Sequence, residues 1–314
     1  MPLYLITGVA GFIGSAIAHT LVERGEQVRG LDNLSTGRLE NIADIRNQLE
    51  FRQADLLDAA AAADACRGAD YVLHQAAIPS VPRSVADPVG SNRANVDATV
   101  HLLEAARKAG VKRVVYAASS SAYGDTPTLP KREDMTPNPI SPYAVAKLAG
   151  ELYMTSFWRC YGLETVSLRY FNIFGPRQDA NSQYSAVMAR FITRMLSGQP
   201  PVIYGDGEQS RDFTYIENAV AANLLACTRP AADVAGRVFN IAGGQRVTIN
   251  QIFRLLQKLT GFQGEPEHEA ERAGDIKHSL ADISLAKKHL GYEPTVDLEE
   301  GLRRTVEWYR KGSG

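Results

Sequence analysis

The sequence predicts an α/β protein, with a doubly wound parallel sheet and a smaller mixed α/β lobe. Three observations favour this fold. Apolar runs typical of strands alternate with helical patterns over the first half of the chain. A glycine-rich turn joins the first strand to the first helix. The chain has 314 residues, of which 45% are hydrophobic, and this is enough to bury one large core or two lobes.

The predicted strands are short and lie at intervals along the first half of the chain. They span residues 3–7, 28–31, 49–53, 71–74, 113–117 and 165–168. Helical patterns lie between them, notably at 92–109 and 142–161. Because strands that alternate with helices form parallel sheets covered on both faces, we expect ligands to bind beyond the carboxyl ends of the strands.

The turn after the first strand has the composition of a dinucleotide-binding motif. Gly8, Gly11 and Gly14 form G-x-x-G-x-x-G before an amphipathic helix at 15–24. The glycines permit a tight turn, a close approach of the backbone to a pyrophosphate, and close packing of helix and strand. Asp32 ends the second strand 18 residues after Gly14, where a carboxylate holds an adenosine ribose and repels a 2′-phosphate. The residues therefore predict NAD rather than NADP.

The second half of the chain has a different pattern. From Phe171 onward Gly and Pro become frequent, with predicted helices at 186–196, 249–259 and 298–310 and a strand at 237–241. We expect residues 1–171 to form an NAD-binding, Rossmann-like domain with return segments near 211–242. Residues 172–314 would then form most of the substrate lobe, interleaved with the sheet.

A second motif places Tyr143 and Lys147 four residues apart in the predicted helix 142–161. At about 3.6 residues per turn the two side chains share one face. Ser141 suits the N-cap, and Pro142 suits the first helical position. The free phenol has a pKa near ~10. The Lys147 ammonium, the helix N-terminus and a cationic cofactor each favour the phenolate, so we expect a general base with a pKa brought towards ~7.

Composition and charge exclude several other classes of protein. The net charge of −1 gives no basic surface for nucleic acid or anionic membranes. No apolar run reaches the roughly 18 residues of a membrane span, and no signal-peptide pattern is present. The three cysteines, Cys66, Cys160 and Cys227, are widely spaced, which is typical of reduced thiols in the cytoplasm. The six histidines lack ligand spacing, so we expect no metal site.

Taken in order along the chain, these motifs resemble the extended short-chain dehydrogenase/reductases. Within that family the sequence is similar to the UDP-galactose and UDP-N-acetylglucosamine 4-epimerase group. The likeness runs from about residue 3 to residue 308, with matching segments at 7–14, 32–37, 55–56, 74–77, 119–124, 141–147, 169–176, 211–213, 272–275 and 279–282. The resemblance implies bound NAD, a UDP-sugar substrate, a homodimer and a place in nucleotide-sugar metabolism, such as cell-surface polysaccharide biosynthesis.

The resemblance also implies the residues of each subsite. The catalytic positions are Ser119, Ser120, Tyr143 and Lys147. The cofactor-binding positions are Gly8, Gly11, Phe12, Ile13, Gly14, Asp32, Asn33, Ser35, Thr36, Gly37, Asp55, Leu56, Gln75, Ala76, Ala77, Asn95, Tyr143, Lys147, Tyr170 and Phe171. The substrate-binding positions are Ser80, Arg83, Ser119, Tyr143, Asn172, Ala186, Val187, Tyr204, Arg211, Arg272, Asp275 and Ser279.

Some of these assignments have a structural alternative. Ser120 could share the role of Ser119 in binding the sugar hydroxyl, or either serine could simply form a turn. Asn95 could support the cofactor region or be a buried, hydrogen-bonded asparagine. By resemblance, Arg211 and Arg272 neutralise the UDP phosphates, for which a planar guanidinium is suited.

The implied reaction is an oxidation that is reversed within the same site. Tyr143 removes the proton of the sugar 4-hydroxyl, C4 becomes a ketone, and hydride returns to the opposite face. A 4,6-dehydratase needs an acid pair where this chain has Ser120 and Ser121, and UDP-glucuronate decarboxylases carry a glutamate at the second position. UDP-glucuronate 4-epimerase fits the same motifs, although the sequence locates no group for the C6 carboxylate. A non-catalytic NAD-sensing module need not keep Ser119, Tyr143 and Lys147 together.

Ser279 is the residue that bears on the choice of sugar. Relatives restricted to UDP-glucose and UDP-galactose tend to carry a tyrosine at this position, four residues beyond the aspartate of Arg-x-Gly-Asp. A small residue leaves room for an acetamido group, so the resemblance implies UDP-GlcNAc and UDP-GalNAc, with UDP-Glc and UDP-Gal also accepted. The loop 79–84 also resembles that of UDP-GlcNAc-preferring relatives. Alternatively, Ser279 is an ordinary loop residue.

Two helices are implied to form the dimer interface. They are the predicted helices 92–109 and 142–161, which match the pair that forms a four-helix interface in relatives. Each carries more apolar or small residues than one sheet-facing stripe requires, and examples are Ala94, Val96, Leu103, Ala106, Leu148, Leu152 and Phe157. Alternatively, this surplus packs on the substrate lobe.

Overall fold

Strands in the first half of the chain build one large sheet, and those in the second half are mostly short. The computed structural model describes residues 1–180, 187–271 and 277–312. Within them the strands are β1 (Leu3–Thr7), β2 (Gln27–Asp32), β3 (Glu50–Gln53), β4 (Tyr71–His74), β5 (Arg113–Ser119), β6 (Glu164–Tyr170), β7 (Ile173–Phe174), β8 (Val202–Tyr204), β9 (Ser210–Asp212), β10 (Thr214–Tyr215), β11 (Arg237–Ile241), β12 (Arg246–Thr248) and β13 (Glu267–Glu269).

Helices connect these strands. They are α1 (Phe12–Glu23), α2 (Ala59–Cys66), α3 (Val81–Ala86), α4 (Pro88–Asn92), α5 (Ala98–Ala109), α6 (Pro142–Tyr161), α7 (Val187–Leu196), α8 (Ile216–Thr228), α9 (Ala231–Val234), α10 (Ile249–Thr260), α11 (Ser284–Leu290) and α12 (Leu298–Gly312). Two 3₁₀ segments, Leu39–Gln48 and Ser120–Tyr123, and a π-helical turn, Arg93–Asp97, complete the set. Among the described residues, no helix is long and apolar enough to cross a membrane.

The central sheet has seven strands in the order β3-β2-β1-β4-β5-β6-β11. Every neighbouring pair is parallel. The strand order reverses direction between β1 and β4, and such a switch point leaves a crevice at the carboxyl ends of the strands. The predicted doubly wound parallel sheet is therefore confirmed, and the predicted strand 237–241 forms its edge.

The sheet is buried on both faces. Leu5 and Ile6 are neighbours in β1, yet each belongs to a different hydrophobic cluster, because successive side chains of a strand point to opposite faces. Helices α2, α5 and α6 pack on one face, and α1 and α8 pack together on the other. The strands of this sheet are therefore almost continuously apolar, as expected of parallel sheets that are covered on both sides.

The second half of the chain contributes to both parts of the molecule. Its β11 joins the central sheet, and α8 packs on that sheet beside α1. In the remainder, α7, α10 and α12 pack together, and the pairs β8–β13 and β9–β12 form small sheets. The structure thus places β11 and α8 of the second half in and on the central sheet, and the division into interleaved domains at residue 171 stays our interpretation.

Candidate active site

A cavity of about 1290 Å³ lies along the carboxyl ends of the parallel strands. Residues that end or directly follow six of the strands line it: Gly8, Asp32, Ala54, Gln75, Ser119 and Tyr170. This is where ligands bind in doubly wound sheets.

The glycine turn between β1 and α1 is tightly closed. Gly8 has a φ of +71°, which favours glycine, and a Cβ there would lie 2.7 Å from the backbone nitrogen of Ala76. A Cβ on Gly14 would lie only 2.1 Å from the Gly8 carbonyl oxygen. The N-terminus of α1 lines the cavity, and no acidic residue stands in its first turn. This backbone fits the pyrophosphate of a dinucleotide, since unpaired N–H groups and the helix dipole attract anions.

Asp32 is buried beside this turn. Its two carboxylate oxygens accept hydrogen bonds from the backbone N–H groups of Ala10 (2.9 Å) and Leu34 (2.8 Å). Burial raises the pKa of Asp32, and these two hydrogen bonds oppose the rise. A Cβ on Gly37 would come within 2.9 Å of the carboxylate, so the backbone there passes close to it. The acid therefore lines the cavity at the end of β2, where the sequence predicts a contact with the ribose.

Helix α6 presents Tyr143 and Lys147 to the same cavity. The helix begins as predicted: the Ser141 hydroxyl accepts the N–H of Ala144 at 3.2 Å, and Pro142 occupies the first turn. The Lys147 ammonium donates to the carbonyl of Ala117 in β5 at 2.8 Å. This bond ties the helix to the strand that ends at Ser119.

Burial controls the ionisation of both side chains in the protein alone. It raises the pKa of Tyr143 to about 12, and a hydrogen bond with Ser119 opposes the rise. It lowers the pKa of Lys147 to about 7. The direction for Tyr143 is opposite to the sequence expectation, because desolvation of the phenolate outweighs the favourable neighbours. A downward shift in the presence of the cationic cofactor stays a prediction.

The serine run begins at Ser119, the last residue of β5, whose side chain makes a hydrogen bond with Tyr143. The Ser119 hydroxyl accepts hydrogen bonds from the Ser121 backbone N–H at 3.1 Å and from the Ser121 hydroxyl at 2.8 Å. Ser120 and Ser121 also line the cavity. Hydroxyl groups therefore stand where a dehydratase would need carboxyl groups.

Most of the predicted site residues line this one cavity. All the predicted cofactor positions do so except Asn95, and so do Ser80, Arg83, Ser119, Tyr143, Asn172, Arg211 and Ser279. Val187 and Tyr204 instead line an adjoining cavity of about 200 Å³, which shares Asn172 and Arg211 with the first. Three further predicted positions, Ala186, Arg272 and Asp275, lie outside the described residues.

Asn95 does not line the cavity, and its assignment as a cofactor contact stays a prediction. Its side chain is buried in the π-helical turn, and its Oδ1 accepts the backbone N–H of Ile78 at 2.9 Å. Ile78 itself lines the cavity. Asn95 is thus a buried, hydrogen-bonded asparagine that supports a segment of the cavity wall, and both interpretations of its role stay open.

Several residues that line the cavity were not found from the sequence. Lys131 is almost fully buried, and its ammonium donates to the carbonyl and hydroxyl oxygens of Thr126. Trp308 and Tyr309 reach the cavity from α12. The periodic pattern predicts α12 as a helix, but it contains no signal for what the helix packs against. Among residues 1–180, 187–271 and 277–312, no cluster of His, Cys, Asp and Glu could hold a metal ion.

Comparison with known proteins agrees with this geometry. The model of the NAD-dependent epimerase/dehydratase family matches residues 4–242. The UDP-glucose 4-epimerase of Mycolicibacterium smegmatis is 39% identical, over 98% of this chain and 99% of its own length. A UDP-glucuronate 4-epimerase of Thermodesulfobacterium geofontis is 36% identical, over 99% of this chain and 97% of its own.

A solved structure has nearly the same fold. It is the UDP-N-acetylglucosamine 4-epimerase of Methanobrevibacter ruminantium M1, in complex with UDP-N-acetylmuramic acid. That protein is 42% identical, each chain covers 99% of the other, and the TM-score is 0.94. The three relatives are thus named for three different sugars.

Proposed function

The chain belongs to the NAD-dependent epimerase/dehydratase family, and we propose that it interconverts UDP-N-acetylglucosamine and UDP-N-acetylgalactosamine. It is an enzyme of the UDP-sugar 4-epimerase type with NAD as its cofactor. The choice of sugar is our proposal, and the observation that carries it is that Ser279 lines the same cavity as Tyr143.

The residues around the cavity support inversion at C4. Bound NAD supplies a reversible acceptor for the C4 hydride, so no net oxidation occurs. Ser119 holds the sugar 4-hydroxyl, and Tyr143 removes its proton as C4 becomes a ketone. After the keto sugar turns about its phosphate linkage, bound NAD would supply the hydride to the opposite face, and Tyr143 would give the proton back to the 4-oxygen. Lys147, whose ammonium donates to the Ala117 carbonyl of β5, would hold the nicotinamide ribose and favour the phenolate.

Ser279 supports the acetamido sugars through its size and its fixed backbone. Its N–H donates to the carbonyl of Ser210 in β9 at 3.0 Å, so this part of the chain is anchored beside a strand. The small side chain leaves room for an acetamido group, and its hydroxyl can donate to the acetamido carbonyl. An aromatic ring at this position would compete for the same volume, and overpacking costs about 1–3 kcal/mol. UDP-Glc and UDP-Gal fit the same space with fewer contacts.

Product analysis with purified enzyme tests the proposal. UDP-GlcNAc, UDP-Glc and UDP-GlcA are supplied separately, and the 4-epimers are identified by NMR. We expect UDP-GlcNAc to be turned over, and UDP-Glc less efficiently. Ser279→Tyr should lower kcat/KM for UDP-GlcNAc on the order of tenfold or more while largely sparing UDP-Glc.

Ser279→Ala is the matched control, because it removes the hydroxyl but keeps the space. It should retain UDP-GlcNAc turnover. A wild-type enzyme that ignores UDP-GlcNAc, or a Ser279→Tyr variant that loses both classes equally, would show that Ser279 does not select the sugar.

UDP-glucuronate 4-epimerase is the second candidate, supported by the 36% identity to the Thermodesulfobacterium protein. Exclusive turnover of UDP-GlcA in the same assay would favour it. The serines at positions 120 and 121 argue against a dehydratase or a decarboxylase, since both reactions need a carboxyl group there. A non-catalytic NAD-sensing module would have no reason to place Ser119, Tyr143 and Lys147 in one cavity.

A further inference from the structure

We propose that Asn240 is a positioning residue, which fixes the cavity wall that carries Ser279 and thereby sets the discrimination between sugars. Asn240 lies in β11 and is fully buried. It does not line the cavity, so its effect on the sugar must pass through the segments it holds. The sugar selectivity in this inference rests on the proposed function.

The Asn240 side chain joins three segments that are distant in the sequence. Its Oδ1 accepts the phenol hydrogen of Tyr123 at 2.7 Å. Its Nδ2 donates to the carbonyls of Lys131 at 2.9 Å and Asp282 at 3.1 Å. The backbone N–H of Asn240 donates to the Glu133 carboxylate at 2.8 Å. One amide thereby links the segment after β5 to two loop segments of the cavity wall.

The two loop segments also bind each other beside Asn240. The Lys131 N–H donates to the Leu280 carbonyl at 2.7 Å, and the Asp282 N–H donates to the Lys131 carbonyl at 2.9 Å. They form an isolated bridge between Lys131 and Ala281, and a second isolated bridge, between His278 and Ser210, ties the same segment to β9. Ser279 stands two residues before this bridge. A change at Asn240 therefore acts on the segment that carries the sugar contact.

Tyr123 connects this wall to α6, the helix that carries Tyr143. The Arg169 guanidinium lies over its ring at 4.6 Å from the centroid. Arg169 in turn makes two hydrogen bonds to Glu151 of α6, at 2.8 and 2.6 Å. Glu151 lies one helical turn beyond Lys147. The cavity is lined by Tyr123, Lys131 and Ser279. Asn240 therefore fixes the distance between the cavity wall that carries Ser279 and α6, the helix that carries Tyr143.

Removing the amide leaves buried polar groups without partners, and the isolated bridge would have to shift to satisfy them. The acetamido sugar depends on the position of Ser279, whereas the unsubstituted sugar does not. The glycine turn lies between β1 and α1, and Asp32 ends β2. The three hydrogen bonds of the Asn240 side chain go to other parts of the chain. The expected change is therefore in sugar selectivity and not in NAD content.

Asn240→Ala tests the inference against a matched control, Asn218→Ala. Asn218 is also buried and its side chain makes four hydrogen bonds to a distant segment, to Thr295 (3.0 and 3.5 Å) and Val296 (2.7 and 3.1 Å), but does not line the cavity. We expect Asn240→Ala to lower the ratio of kcat/KM for UDP-GlcNAc over UDP-Glc by about tenfold, mainly through KM. Asn218→Ala should leave that ratio unchanged, and both variants should retain NAD.

Hydrogen exchange supplies a second measurement that needs no substrate. Peptides covering residues 277–283 should exchange faster in Asn240→Ala than in wild type or Asn218→Ala. If Asn240→Ala does not fold, Tyr123→Phe removes one of the three bonds and should shift the ratio in the same direction. An unchanged ratio, or equal losses for both sugars, would overturn the inference while leaving the proposed function intact. If the wild-type enzyme does not turn over UDP-GlcNAc, the proposed function is wrong. In that case the hydrogen-exchange result still tests this inference: unchanged exchange of residues 277–283 in Asn240→Ala would overturn it.

Discussion

The hydroxyl of Ser84 accepts a hydrogen bond from the backbone N–H of Tyr143 at 3.0 Å. Its own hydrogen goes to the carbonyl of Val81 in the same short helix, α3. The first N–H groups of a helix have no partners within the helix. Ser84 and the N-cap Ser141 satisfy two of them in α6, so the first turn of the helix that carries Tyr143 is fixed both by α3 and by its own cap.

Tyr143→Phe should abolish most of the activity without disturbing the fold. The backbone contacts of Tyr143 and its ring remain, while the proton acceptor for the sugar 4-hydroxyl is lost. We expect turnover to fall by roughly 10²–10⁴-fold, the range typical of losing a general base. Initial rates with the preferred UDP-sugar measure the effect, and circular dichroism with thermal unfolding checks the fold. Near-normal turnover would refute the assignment of Tyr143 as the base.

The bound dinucleotide should be NAD and should depend on Asp32. Denaturing the purified protein is expected to release NAD, which chromatography against NAD and NADP standards identifies. In Asp32→Asn an amide nitrogen replaces one acceptor oxygen, so Ala10 or Leu34 loses the partner of its N–H and the ribose loses a carboxylate. That variant should contain less NAD. Recovery of NADP alone from the wild type would mean that the Asp32 carboxylate does not face the ribose.

A homodimer through α6 and its neighbours is expected from exposed apolar side chains. Val145 and Leu152 on α6 are 52% and 61% exposed and lie seven residues apart, on one face. Val85 and Val89, on the adjacent α3 and α4, are 64% and 69% exposed. Burial of this surface in a second copy would remove it from water.

Light scattering at micromolar concentration should give twice the 34.2 kDa mass of one chain. Leu152→Glu should shift the mass towards one chain, whereas Leu39→Glu, at a comparably exposed leucine outside these helices, should not. A wild-type mass of one chain would end the proposal.

The structure divides the apolar residues from which the sequence predicts the interface. Leu103, Ala106 and Phe157 are buried in the chain's own core, and Leu152 is the one most exposed.

The free energy of unfolding should decrease as the pH is lowered below about 6.5, and the cause is His74. Burial lowers the pKa of His74 to about 3, and its ring nitrogens lie 2.8 Å from the Thr7 hydroxyl and 2.9 Å from the Thr99 hydroxyl. At a pH above the pKa of His74 in the unfolded chain, His74 binds no proton in either the folded or the unfolded state. Below it the unfolded chain binds one that the folded chain refuses, so the free energy of unfolding decreases by up to about 1.4 kcal/mol per pH unit.

Urea unfolding of NAD-saturated protein at pH 7 and pH 5 measures this decrease. His74→Gln should show a smaller decrease between the two pH values, although it is less stable at pH 7. His101→Gln, which keeps His74, serves as the control and should behave as the wild type does. Equal pH dependence in His74→Gln and wild type would show that His74 does not control it.

Local sequence patterns were sufficient to predict the elements whose causes lie within a few residues. Helix α6 begins at Pro142 and ends at Tyr161 as predicted, because Ser141 caps its start and Gly162, with a φ of 72°, ends it. The glycine turn was equally local, since Gly8 takes a φ of +71° and Gly14 packs against the Gly8 carbonyl within the same turn. Strands β1 and β4 have the predicted bounds because their apolar runs are bounded by turns.

Which side chains meet depends instead on the packing of segments that are distant in the sequence. Ser84 and Tyr143 are 59 residues apart, and Tyr123 and Asn240 are 117 apart, so no local pattern could pair them. The pKa of Tyr143 rises rather than falls because burial depends on how distant segments pack over it. Periodicity predicts that a residue faces inward but not what it faces, and desolvation and long-range hydrogen bonds exist only once the chain has folded.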